Sequence, residues 1–151
     1  MPAAAERTIA AYRAWAERSG SQVAAIAGES SWTPQRRFAR TFDRLALPGF
    51  GRAERYEFLV TLAAAGIYEL EPTNLRLAVA HDDATTLAAK RALNSGDAML
   101  LERRASALAE AAGLPIAALD RGFALWDRTT PLDAPEDDPR LAAARAALRL
   151  G

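Results

Sequence analysis

The sequence predicts an all-α protein, one compact domain of seven to eight short helices. Three observations carry that expectation. Apolar residues recur at three- and four-residue steps in most segments. No stretch alternates apolar and polar residues as a half-buried strand does. Glycine, proline, aspartate and threonine stand where such helices would begin and end.

The first helix is expected over residues 3–19, with Ile9, Tyr12, Trp15 and Ala16 at helical spacing and Gly20 at its end. Residues 20–31 read as a short helix or a loop. Thr33 followed by Pro34 is a helix start, a capping hydroxyl before proline at the first helical position. That helix should run to about Ala46 with Phe38, Phe42 and Leu45 inward, while Arg36, Arg40 and Arg44 form a stripe on another face. LPGFG at 47–51 breaks the pattern. A helix over about 52–65 follows, with Phe58, Leu59 and Leu62 inward and Gly66 as its stop.

Residues 67–74 read as a turn containing Pro72, followed by a short helix to about Ala80. Asp82 or Asp83 should cap a helix over about 84–94, ended by Asn94-Ser95-Gly96. Asp97 caps a longer helix over 98–112, whose apolar residues are Met99, Leu100, Leu101, Ala105, Leu108 and Ala112, and Gly113 ends it. Pro115 opens a helix over 115–127 with Ile116, Leu119, Phe123 and Trp126 inward. Residues 128–139 are polar, hold three prolines and read as a linker; 139–150 form a last, alanine-rich helix. The domain is therefore expected over 1–127. The C-terminal helix is either packed on it or available for a homodimer.

Composition narrows the chemistry. With 151 residues, 50% hydrophobic and 25% charged, the chain can bury a core without staples. It has no cysteine, which excludes disulfides, thiolate metal sites and cysteine nucleophiles. The single histidine, His81, excludes multi-histidine metal sites and argues against a Ser–His–Asp triad. No apolar run approaches the ~20 residues of a membrane span, and the first residues lack a basic-then-apolar leader pattern, so a cytoplasmic protein is expected. Alanine accounts for 37 residues, and all basic residues except Lys90 are arginine. Net charge is zero, but residues 31–55 set Arg36, Arg37, Arg40, Arg44, Arg52 and Arg55 against Asp43 and Glu54, a local net of +4. A neutral average can hide a basic face.

The LPGFG turn is the motif with chemical content. Two glycines two apart let antiparallel helices approach and let the backbone reverse where side chains would clash. The next helix starts immediately, so its unpaired amides and positive dipole end can hold a phosphate. The spacing resembles the helix-hairpin-helix element hPGhGxxxA, where h is apolar. Without gaps, LPGFGRAERYEFLVTLAAAGIYELEPTNLRLA is similar to the hairpin, following helix and catalytic turn of the helix-hairpin-helix DNA glycosylases of the endonuclease III type. The resemblance spans residues 34–80.

It implies that Gly49, Phe50, Gly51 and Arg52 grip a DNA phosphate, with a monovalent cation at the hairpin and no other cofactor. Arg36, Arg40 and Arg44 would add a salt-sensitive attraction. The family's catalytic aspartate position falls on Glu71, which would stabilise the sugar cation during base excision. The lyase lysine position falls on Ala53, so any activity would be that of a monofunctional N-glycosylase, or of an inactive relative. Arg55 stands where the element usually has a small residue. Phe50 or Tyr68 could stack on a base.

Two other functions compete. One is a non-enzymatic helical interaction or dimerisation module, in which the glycines only join two helices. The other is a small-molecule enzyme using Glu71 with Asp82 or Asp83. Whether the arginines converge on the turn or scatter discriminates among them.

Overall fold

The computed structural model describes residues 2–126 and 137–149. All regular structure among them is helical: eight α-helices and one 3-10 turn. The chain divides into two compact units, residues 1–73 and 74–151. The division falls inside the stretch that reads as one domain over 1–127.

The first unit holds α1 (Ala3–Arg18), α2 (Gln22–Ala27), α3 (Pro34–Arg44) and α4 (Arg52–Ala64). Residues 20–31 thus contain a helix, started by the Ser21 hydroxyl accepting the Ala24 N–H at 3.0 Å. Gly28 ends it with a positive φ, and the Trp32 ring lies where a Cβ at that residue would stand. Thr33 caps α3 by accepting the Arg36 N–H at 3.2 Å, with Pro34 at the first position. Consecutive helices pack on one another along the chain. Their core is aromatic: the Tyr56 ring stands edge-on to Phe38 at 5.4 Å and to Phe42 at 6.5 Å, and all three side chains are buried. Each such burial stabilises by about 2–3 kcal/mol. The Thr41 hydroxyl donates to the Ile26 carbonyl at 3.0 Å, tying α3 to α2. After α4 the chain turns at Gly66, and the Glu71 N–H donates to the Pro34 carbonyl at 3.2 Å.

The second unit holds a 3-10 turn (Leu77–Val79), α5 (Ala84–Ala92), α6 (Ala98–Ala112), α7 (Ile116–Ala124) and α8 (Pro139–Arg149). Asp83, not Asp82, caps α5, and Asp97 caps α6 at 2.7 Å to the Leu100 N–H. Gly113 closes α6 in the left-handed region, as expected. Buried leucines and alanines, with Phe123, replace the aromatic core of the first unit. Two apolar expectations fail, at Met99 and Trp126. Met99 is 83% exposed and Trp126 is 55% exposed. Trp126 lies beyond α7, which stops at Ala124, so the helical phase that would turn it inward has ended. α8 packs on α6, and Ala112, Leu114, Leu141 and Ala144 line an open pocket beside it. Most of the polar stretch read as a linker, residues 127–136, lies outside the described residues.

Candidate nucleic-acid interface

α3 and α4 pack against each other and are joined by residues 45–51. The connection is tight: the Leu47 N–H donates to the Leu45 carbonyl at 2.7 Å and the Phe50 N–H to the Leu47 carbonyl at 2.9 Å. Gly49 sits at φ +80, where L side chains rarely go. A Cβ there would also stand 1.9 Å from Thr8 Oγ1 of α1. Gly49 is therefore fixed by conformation and by packing together.

Gly51 differs. It is the N-cap of α4 at φ −70, a value open to any residue. Both glycines are exposed, and among the described residues neither their N–H groups nor those of Ala53 and Glu54 have an acceptor. Gly49 and Gly51, on either side of the paired Phe50 amide, thus present free amides near the positive end of a 13-residue helix. The Glu54 carboxylate folds back over this end, with Oε2 2.7 Å from where a Cβ on Gly51 would stand. An incoming anion must displace that exposed side chain.

The arginines do not converge on the turn. Arg52 is 2% exposed, its guanidinium 5.3 Å from the Tyr56 ring centroid. Arg55 is 8% exposed and lies 4.3 Å over Phe42. It donates through Nε to the Gly51 carbonyl at 3.2 Å and through Nη1 to the Phe42 carbonyl at 3.0 Å, fastening the turn to the C-terminal end of α3. Arg37 donates to the carbonyls of Ala27, Trp32 and Glu69 at 2.8–3.0 Å. Arg44 reaches the Ser19 hydroxyl at 2.9 Å and the Ala25 carbonyl at 3.4 Å, and lies 5.9 Å over Trp15. Arg36 lies 5.9 Å over Trp32. Of the stripe, Arg36, Arg40 and Arg44 are all exposed, but Arg36 and Arg44 are turned to these partners. Arg52 was expected to meet phosphate; it is a buried side chain against an aromatic ring instead.

Phe50 is half-buried and already stacked. Its ring lies 5.9 Å from Tyr12 with planes 21° apart, and 6.0 Å from Phe58 edge-on. Thr8, Ile9, Tyr12, Arg13, Gln22, Phe50 and Phe58 line a cavity of about 360 Å³ beside the turn. Sequence reading missed this grouping, although Ile9 and Tyr12 had marked one face of α1. Burial and the nearby Tyr68 push the Tyr12 phenol above its usual range, and its Oη is buried with no hydrogen-bond partner.

Glu71 is exposed and accepts from Gln35 Nε2 at 2.6 Å. That contact sits at the N-terminal end of α3, whereas the glycine turn follows its C-terminal end. The 11 residues of α3 separate the two by about 16 Å. Asp83 is engaged as the α5 cap, His81 is exposed, and Lys90 donates to the His81 carbonyl at 3.0 Å.

A monovalent cation at the turn finds a poor donor set. Its carbonyls at Leu45 and Leu47 each accept a backbone N–H, and Gly51 accepts from both the Arg55 amide and its guanidinium. A fixed positive charge already occupies that corner. Among the described residues no three His, Asp or Glu side chains gather as metal ligands, and no helix is long and apolar enough to cross a membrane. No family model, no curated protein and no solved structure matches this chain.

Proposed function

We propose that this chain is a DNA-binding protein whose α3–turn–α4 segment works as a helix-hairpin-helix element, taking a backbone phosphate on main-chain amides. The observation that carries this reading is the pair of exposed, acceptor-free N–H groups at Gly49 and Gly51, placed at the N-terminus of α4. Phosphate suits such a corner because unpaired amides lie close together there and the helix dipole is positive. The grip comes from backbone, assisted by exposed Arg40, rather than from a ring of guanidinium groups. It contacts DNA without reading sequence.

Catalysis is not part of the proposal. Glu71 is solvated and held by a neutral amide, and base excision needs a carboxylate placed to within about an ångström of the anomeric carbon.

The test is a titration with intact and abasic duplexes at 50 and 200 mM salt. With Arg40 neutralising one phosphate, affinity should fall about three- to fourfold between the two conditions. Gly51→Leu, tolerated by the local φ but bulky over the amides, should weaken binding to both duplexes. Glu54→Gln should strengthen it by removing the carboxylate that faces the same amides. Binding that ignores salt, Gly51 and Glu54 alike would overturn the reading. The alternative, a helical interaction module, is favoured by the scatter of the arginines, and binding that ignores salt would select it.

A further inference from the structure

We infer that the aromatic cavity between α1 and the glycine turn receives one unstacked nucleobase of the strand whose phosphate rests on the turn. This inference rests on the backbone-binding reading above. Four observations from the first unit carry it.

The walls are right for a flat π-system. Tyr12, Phe50 and Phe58 supply three rings within 6.0 Å of one another, two stacked and one edge-on. A cavity of about 360 Å³ sits at the small end of the ligand-sized range, roughly 300–1,000 Å³. Bases stack on such platforms whatever their identity, because every base has a π-face.

The polar groups are right for a base edge. Tyr12 Oη is buried without a partner among the described residues. That hydroxyl has almost no accessible surface, so the base edge, which carries both acceptors and donors, would meet Gln22 instead. Gln22 adds a side-chain amide with both functions.

The charge is right for a nucleic acid. Arg13 is the charged residue among the seven that line the cavity. It is exposed, so it can follow the strand at the rim.

The position is right for a nucleotide. Phe50 forms a wall of the cavity, and its two chain neighbours present the free amides. Base pocket and phosphate site therefore lie within three consecutive residues, at most about 7 Å of backbone.

The test uses the full chain and two short single strands of equal charge. One carries 2-aminopurine at its centre; the other carries an abasic tetrahydrofuran residue there. Wild type should bind the 2-aminopurine strand about tenfold tighter and quench its fluorescence. Gln22→Leu keeps the rings and the fold and should shrink that preference while leaving abasic affinity unchanged. Gly51→Leu should weaken both strands and leave their ratio intact.

Equal affinity for the two strands, with Gly51→Leu still weakening both, overturns the pocket and leaves phosphate binding standing. Failure of both strands to bind overturns both. Self-association of the free protein that Ile9→Glu abolishes would assign the cavity to a second copy, and also overturns the inference.

Discussion

The two units of this chain both satisfy stranded carbonyls with cations. They cap stranded amides differently, with the Ser21 and Thr33 hydroxyls in the first and with carboxylates in the second. In the first unit, carbonyls stranded at helix ends and turns are satisfied by guanidinium groups. Arg37 serves Ala27, Trp32 and Glu69; Arg44 serves Ala25; Arg55 serves Phe42 and Gly51. In the second, stranded amides are satisfied by carboxylates. Glu102 accepts from the Leu75 and Leu77 N–H groups at 2.9 and 2.6 Å, flanking Arg76 in the left-handed region, while Asp83 and Asp97 cap α5 and α6. Donors go where chain ends expose acceptors, and acceptors where they expose donors. The lesson concerns charge counting. A surplus of +4 over residues 31–55 suggests a basic face, yet five of those six arginines bond to carbonyls or pack on rings.

The comparison can be broken most sharply at Arg55. Arg55→Ala removes a nearly buried donor from two carbonyls and exposes the Phe42 ring. It should lower unfolding stability by about 3 kcal/mol, read by chemical denaturation. A loss under about 1 kcal/mol would mean that water replaces the guanidinium and that the fastener reading is wrong.

Glu102→Ala is the counterpart in the second unit. It leaves the Leu75 and Leu77 amides without their carboxylate, and the expected loss is about 2 kcal/mol. Glu102→Gln should recover part of it, since the amide oxygen still accepts one bond.

The two glycines of the turn separate conformation from exposure. Gly49→Ala meets a left-handed φ and the Thr8 hydroxyl, so it should cost about 2 kcal/mol, with Thr8→Ala restoring part of the loss. Gly51→Ala has a permitted φ and meets only the movable tip of Glu54, so its thermal midpoint should stay close to wild type. Equal losses at the two positions would remove the distinction between a packed glycine and an open one.

The smallest effect is a pH dependence at Tyr12. Burial first, then Tyr68, raises its pKa above the ordinary value of 10.0. The folded state holds that proton more tightly than the unfolded state. The resulting stability is present below pH 10 and is lost as pH rises through the folded value. Melting curves between pH 9 and 11 should therefore decline less steeply for Tyr12→Phe than for wild type.

Much of the helical frame was legible beforehand. Thr33-Pro34, Asp97, Gly66 and Gly113 each mark a terminus through their own backbone or side-chain chemistry; α3 and α6 start, and α4 and α6 end, where those residues place them. The helix over 22–27 was ambiguous because six residues carry too little periodicity, although Ser21 is an ordinary cap. Trp126 was misplaced because the helical phase was carried two residues too far. At the candidate site the glycines and their exposure were legible, but the destinations of Arg52 and Arg55 and the grouping of Tyr12, Gln22, Phe50 and Phe58 were not.

Local chemistry settled where each helix starts, stops and turns, because a cap, a proline or a glycine acts within four residues of itself. Packing settled which arginines face water and which rings enclose a cavity. A guanidinium on a long flexible stem chooses among carbonyls that come within reach only after α1, α3 and α4 have assembled, and a pocket wall drawn from residues 8 to 58 has no signature along the chain.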